Sequence, residues 1–164
     1  MARSISAATD AATQVRVRST SPVETIELGR RLALVAQPGD LVCLWGELGA
    51  GKTQLAKGFG LGLGVVDTVN SPTFILMAEY PEGRLPLFHV DLYRLADASE
   101  ALAGGVIDDR QSDGVTLVEW PDRLGPALPA RRLDVVIDGE GEAPRAIAVR
   151  ALDPDLARYI EALG

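Results

Sequence analysis

Cysteine, histidine and lysine are scarce in this sequence, and the scarcity of cysteine indicates the cellular compartment of the protein. Cys43 is the only cysteine among 164 residues, so no disulfide can form within the chain. It lies inside an apolar stretch, and a lone thiol in such a position is typical of proteins of the reducing cytoplasm. The sequence therefore predicts a cytoplasmic protein that is stabilised without disulfides.

Long hydrophobic runs are also missing. No apolar stretch approaches the roughly 20 residues that a membrane-spanning helix needs. Residues 1–13 are small and polar, and they lack the apolar core of a secretory signal. They are predicted to form a disordered tail. The composition, with 47% hydrophobic and 24% charged residues, is that of a globular protein, and residues 14–164 are predicted to form one domain.

Basic residues are outnumbered by acidic ones, 16 against 23, and the formal net charge is -7. An acidic chain without a concentrated basic patch is repelled by the phosphate backbone of nucleic acids. Two of the basic residues are lysines, and the other fourteen are arginines that are scattered from Arg3 to Arg158. The charge therefore predicts that any action on RNA goes through a partner protein.

The hydrophobic pattern predicts alternating strands and helices. Helices are predicted from the Ser21-Pro22 start signal to about Ala36, from Lys52 to about Leu61, and from Asp153-Pro154 onward. The fold class predicted from this order is α/β, a P-loop NTPase-like three-layer sandwich around a mixed, mostly parallel sheet. The predicted strands are 14–19, 40–45, 74–80, 85–91, 115–120, 133–139 and 145–150.

A phosphate-binding loop follows the apolar strand 40–45. GELGAGKT, at 46–53, fits the eight-residue P-loop pattern at every specified position. Its glycines let backbone N–H groups point at phosphate oxygens, and the following helix adds its positive end. Lys52 is predicted to reach the β- and γ-phosphates of ATP, and the Thr53 hydroxyl to ligate Mg²⁺. The predicted nucleotide-binding residues are Glu47, Leu48, Gly49, Ala50, Gly51, Lys52, Thr53 and, from a later segment, Thr73.

Two acids end apolar strands and are candidates for the metal side of this site. Asp91 suits a water-mediated Mg²⁺ contact, and Glu119 suits direct metal contact or orientation of the attacking water. An acid is also common at the exposed end of a strand, so either residue alone is weak evidence. The two acids and Lys52 are the predicted catalytic residues. The predicted metal ligands are Thr53, Glu119 and Asp91.

Three further features have two interpretations each. Ser71-Pro72-Thr73 is either a turn signal or a switch-like segment whose threonine senses the γ-phosphate. His89, the only histidine, is interpreted as a packed, hydrogen-bonded strand residue rather than as a base. Trp120 is either a core residue or a contact for a partner.

Four motifs in order resemble one family. GELGAGKT at 46–53, NSPTF at 70–74, HVDLYRL at 89–95 and VEWPDRL at 118–124 are similar to the motifs of the bacterial TsaE ATPases. The P-loop is common to many families, whereas the combination of the other three is specific. The similarity covers about residues 19–139, and ASEALAGGVIDDR, between the second and third motifs, departs from the family.

The resemblance implies a function. It implies that the protein, like TsaE proteins, binds and slowly hydrolyses ATP and acts with the TsaD–TsaB pair in making threonylcarbamoyladenosine in tRNA. The matching residues are Lys52 and Thr53, then Thr73, Asp91, and Glu119 with Trp120. Two other functions stay open on the sequence: a small-molecule P-loop kinase, and a nucleotide-gated binding module with negligible hydrolysis.

Overall fold

The computed structural model describes residues 13–70, 77–94 and 109–164. Almost all of the predicted tail, residues 1–12, lies outside these ranges, as do Thr73 and most of the ASEALAGGVIDDR stretch. The predicted division into a tail and one domain therefore stays a prediction. Within the described residues, no helix is long and apolar enough to cross a membrane.

Seven strands form one sheet in the order β1-β7-β6-β2-β5-β4-β3. β2 pairs in parallel with β5 and β6, and β4 pairs in parallel with β5. β3 and β7 run opposite to the other strands. The predicted mixed, mostly parallel sheet is confirmed. The strands are β1 (Gln14–Ser19), β2 (Leu41–Trp45), β3 (Met77–Tyr80), β4 (Leu87–Asp91), β5 (Val115–Glu119), β6 (Leu133–Asp138) and β7 (Arg145–Ala151).

Helix α1 (Pro22–Ala33) begins at the predicted signal. The Ser21 side chain accepts a hydrogen bond from the Glu24 N–H at 3.2 Å, and the Glu24 carboxylate accepts one from the Thr20 N–H at 2.9 Å. The helix ends before the predicted Ala36 because its last residues tighten into i→i−3 hydrogen bonds, as between Ala36 N–H and Ala33 O.

Helix α2 (Lys52–Leu63) continues two residues beyond the predicted end, until Gly64 takes a left-handed conformation with φ +81°. Glycine disfavours helices, but here it permits close packing against α1. A Cβ built on Gly58 would come within 1.8 Å of the Ile26 carbonyl oxygen. The backbones of α1 and α2 therefore touch, and packing overrides the low helix propensity of the sequence.

The larger hydrophobic core lies between the sheet and its helices. Each Leu or Phe that is fully buried there contributes roughly 1.5–3 kcal/mol relative to an exposed one. The opposite face carries a smaller cluster, which includes Leu124 of the 3-10 segment Pro121–Ala127. Helices and this segment thus cover the two faces. Buried members of the larger core include Leu32, Leu44, Leu55, Phe59, Leu117 and Ile147.

The C-terminal residues are attached to the sheet through a buried carboxylate. The predicted last helix begins as the 3-10 turn Pro154–Leu156 and continues as α3 (Ala157–Glu161). Asp40 Oδ2 accepts hydrogen bonds from Tyr159 Oη at 2.5 Å, from Gln37 N–H at 2.9 Å and from Arg158. This cluster precedes β2, so it lies at the end of that strand opposite to the P-loop.

Cys43 is fully buried in the smaller cluster, and burial raises the pKa of its thiol to about 12. Because the thiolate is the reactive form, we expect Ellman's reagent at pH 8 to leave Cys43 unlabelled in the native protein and to label it at once in guanidinium. In the unfolded chain, the Cys43 thiol loses its proton with the ordinary thiol pKa of 9.0. The free energy of unfolding should therefore fall as the pH rises from there towards 12. Rapid labelling of the native protein would contradict the buried position.

Candidate functional site

The P-loop connects the end of β2 to the start of α2. Gly49 and Gly51 have φ +81° and +113°, which side-chain-bearing residues rarely adopt. Gly51 is the N-cap of α2 and supplies no side-chain hydrogen bond to the first turn of the helix. Since the first N–H groups of a helix have no partner within the helix, this end of α2 has the geometry of an anion-binding site.

Lys52 lies inside this site and not on the surface, with 5% of its area exposed. Its Nζ donates a hydrogen bond to Gly46 O at 2.6 Å and lies 3.6 Å from the centroid of the Trp120 ring. Burial lowers the pKa of Lys52, while the carboxylates of Glu119 and Asp91 act in the opposite direction. A cation is therefore held at the phosphate end of the loop.

The two predicted acids are neighbours in the sheet. Asp91 and Glu119 are register partners at the ends of parallel strands β4 and β5, and Glu119 is also paired with Leu44 of β2. Glu119 is 3% exposed, whereas Asp91 is half-buried. Burial raises the pKa of Asp91, and a hydrogen bond from the Tyr93 N–H to its Oδ1 at 3.0 Å opposes this. Both acids lie at the edge of the sheet from which the P-loop starts.

His89 lies between the Glu119 carboxylate and the backbone of Asn70. The side chain is fully buried on the same face of β4 as Asp91. Its Nε2 lies 2.7 Å from Glu119 Oε2, and its Nδ1 lies 3.2 Å from Asn70 O. The interpretation of His89 as a packed, hydrogen-bonded strand residue is confirmed.

Trp120 forms a wall of the site. Among the described non-glycine residues it alone has a positive φ, +58°, a conformation that costs about 1–3 kcal/mol. The turn ends β5 at Glu119, one residue before the predicted end, and places the indole beside Lys52 and 5.0 Å from the Tyr93 ring. Trp120 also packs against the smaller core cluster, so it is part of both the core and the cavity.

A cavity of about 700 Å³ joins these residues. That volume is within the range of pockets for small molecules and cofactors. Beyond the P-loop and the acids, it is lined by residues 19–22 before α1 and by residues 141–143 of the β6–β7 hairpin. The cavity therefore extends beyond the P-loop, to the residues before α1 and to the β6–β7 hairpin.

Arg145 is a residue of this cavity that the sequence analysis missed. Its Nε donates to Ala50 O at 2.8 Å, and its Nη2 donates to Gly49 O at 3.1 Å and to Gly141 O at 3.0 Å. It thus ties the P-loop carbonyls to the β6–β7 hairpin. No local motif marks an arginine at the start of a strand for this role.

Most of the predicted site residues lie together. Glu47 does not line the cavity, although its charge acts on Lys52. Thr73 lies outside the described residues. The predicted residues that do line the cavity are Leu48, Gly49, Ala50, Gly51, Lys52, Thr53, Asp91 and Glu119.

The oxygen donors of this set suit Mg²⁺, which prefers carboxylates, waters and substrate phosphates. Thr53, Asp91 and Glu119 line the same cavity. In the described ranges, no three His, Cys, Asp or Glu side chains form a ready-made metal site. The donor atoms of Thr53, Asp91 and Glu119 therefore fit Mg²⁺.

A sheet with β2 at its centre and a P-loop leading into α2 defines the class: the chain has the P-loop NTPase fold. The model of one family, Threonylcarbamoyl adenosine biosynthesis protein TsaE, matches residues 19–147. This chain belongs to the TsaE family.

Known relatives agree with this membership. The tRNA threonylcarbamoyladenosine biosynthesis protein TsaE of Bacillus subtilis (strain 168) is 44% identical over 139 residues, which cover 85% of this chain and 87% of that protein. The protein of the same name from Mycobacterium tuberculosis (strain CDC 1551 / Oshkosh) is 39% identical over 134 residues, covering 76% and 79%. The crystal structure of Bacillus subtilis YdiB superposes with a TM-score of 0.75 at 36% identity, covering 92% and 93%. The predicted resemblance and fold class are both confirmed.

Proposed function

We propose that this protein binds ATP with Mg²⁺, hydrolyses it slowly, and acts as an accessory protein in the biosynthesis of threonylcarbamoyladenosine in tRNA, together with TsaD and TsaB. One observation carries the nucleotide part of the proposal: Lys52, Thr53, Asp91 and Glu119 all line one cavity at the N-terminus of α2. Membership of the TsaE family and the names of the relatives support the tRNA part.

The shape of the cavity supports a nucleotide in one orientation. The phosphates would lie against the P-loop N–H groups and the first turn of α2, where the positive end of the helix favours anions. The remaining space, between residues 19–22 and residues 141–143, would hold the nucleoside. Arg145 would hold the P-loop in this conformation, because it donates hydrogen bonds to two of the loop carbonyls.

Each residue has a role in hydrolysis to ADP and phosphate. Lys52 would neutralise charge on the β- and γ-phosphates, and Thr53 with Asp91 would hold the Mg²⁺ and its waters. Bound Mg²⁺ would supply charge neutralisation on the phosphate oxygens. Glu119 would orient the attacking water, whose oxygen bonds to the γ-phosphorus as the bridging P–O bond breaks. Positioning and electrostatics are the main sources of catalysis in phosphoryl transfer.

The charge supports an indirect action on tRNA in the cytoplasm. With a net charge of -7, the isolated chain should bind a phosphate backbone weakly at physiological salt. ATP would instead control association with the partner proteins through the residues around Glu119. ATP would thus drive or reset the assembly of this protein with TsaD and TsaB.

The test is co-elution of this protein with a TsaD–TsaB complex, with and without ATP, combined with ATP turnover measured with and without that complex. We expect better capture with ATP and faster turnover in the complex. A tRNA gel shift on the isolated chain is expected to be negative at physiological salt. Tight tRNA binding without nucleotide-dependent capture would contradict the proposal. Phosphate transfer to an acceptor other than water would favour a kinase instead.

A further inference from the structure

The roles proposed above leave His89 without a task, although it is the one histidine of the sequence and is fully buried against Glu119. Its ring nitrogens lie 2.7 Å from Glu119 Oε2 and 3.2 Å from Asn70 O. Both distances are within hydrogen-bonding range. His89 is therefore held on one side by the backbone and is bound on the other side to the proposed water-orienting residue.

The two hydrogen-bond partners of His89 determine which of its ring nitrogens carry a proton. The Asn70 carbonyl can only accept a hydrogen bond, so Nδ1 must carry a proton to bind it. That bond orients the ring and directs Nε2 towards Glu119 Oε2. An ionised carboxylate can also only accept, so Nε2 donates to it and both ring nitrogens act as donors. The same arrangement, in which one ring nitrogen is fixed so that the other can act, is how proteins orient catalytic and metal-binding histidines.

We propose that His89 is a positioning residue that holds the Glu119 carboxylate in the orientation needed to orient the attacking water. This rests on the proposed function of Glu119. The carboxylate needs such a partner because a cation, Lys52, and a second acid, Asp91, lie near it. Without the imidazole, Glu119 would be drawn towards the Lys52 ammonium and pushed away from Asp91, and this buried acceptor would lose a hydrogen bond at 2.7 Å.

Two substitutions separate the two ends of the ring. His89→Gln places an amide nitrogen near the position of Nε2, so it keeps a donor for Glu119. His89→Asn places its amide near Nδ1, so it keeps a donor for Asn70 O and loses the one for Glu119. We expect His89→Asn to lower kcat for ATP hydrolysis by about tenfold to a hundredfold, the effect of a small misplacement in the site, with ATP affinity changed less than about threefold. His89→Gln should recover most of that loss.

A matched control and a double variant exclude a general loss of structure. Tyr159→Phe removes another buried hydrogen bond, to Asp40 beyond the opposite end of β2, and should leave kcat unchanged. If His89 acts through Glu119, His89→Asn combined with Glu119→Gln should be no slower than Glu119→Gln alone. Additive losses, or equal losses in His89→Gln and His89→Asn, would overturn the positioning role.

A second readout does not need turnover. Because the sequence holds one histidine, its ring nitrogens give unambiguous ¹⁵N NMR signals. We expect both ring nitrogens to be protonated, and the Nε2 signal to move in Glu119→Gln but not in Tyr159→Phe. Signals of a free, rapidly exchanging imidazole would overturn the inference. If Glu119→Gln keeps full turnover, the proposed function of Glu119 fails; if it loses turnover while His89→Asn does not, only the role of His89 fails.

Discussion

Lys52→Ala is expected to weaken ATP binding about tenfold to a hundredfold. The substitution removes the cation that would pair with the β- and γ-phosphates, and a charge-assisted hydrogen bond of this kind is worth about 1.5–3 kcal/mol. Among the described residues, Lys52 Nζ contacts the Gly46 carbonyl and the Trp120 ring, both of which a phosphate oxygen can displace. Titration of a fluorescent ATP analogue measures the effect.

Two further variants make this test specific to the charge. The Lys52 side chain is buried against Trp120, so alanine also removes packing; Lys52→Met keeps most of that packing and should lose the same affinity. Lys57→Ala removes the other lysine, which is on the same helix but does not line the cavity, and should bind ATP normally. Unchanged affinity in a folded Lys52→Met protein would contradict the assignment of residues 46–53 as the phosphate-binding loop.

Glu119→Gln is expected to keep ATP binding and to lose more than about tenfold in the rate of hydrolysis, the low end for a misplaced water-activating group. Glutamine preserves the volume of this buried side chain and removes its charge. Single-turnover hydrolysis with saturating ATP separates the rate from the affinity.

Asp91→Asn distinguishes the second acid. Asn retains an Oδ1 that can accept the Tyr93 N–H, so the local turn should persist. If Asp91 holds the hydration shell of the metal, this variant should weaken the Mg²⁺ dependence of ATP binding as well as the rate. Asp122→Asn is the control, because Asp122 is exposed and its charge, like that of Asp91, acts on Lys52. Full hydrolysis by the Glu119→Gln variant would transfer the catalytic role to Asp91.

The sequence alone was sufficient for the features that depend on local chemistry. The P-loop pattern at 46–53 placed a strand before it and a helix after it, and both are present. The Ser21-Pro22 signal located the start of α1, because capping involves residues only a few positions apart. Asp91 and Glu119 were predicted to end strands on the metal side of the site. The structure places them as register partners at the ends of β4 and β5.

The tertiary structure alone decided the contacts between distant segments. Arg145 binds the carbonyl of Ala50, 95 residues away, and His89 binds Glu119, 30 residues away. Neither contact has a sequence pattern, because each depends on which strands become neighbours and in which register. Local preferences act over a few residues, whereas strand order and register follow from burying the apolar faces of the whole chain at once. The parts of the cavity that lie beyond the P-loop therefore became visible only in the folded protein.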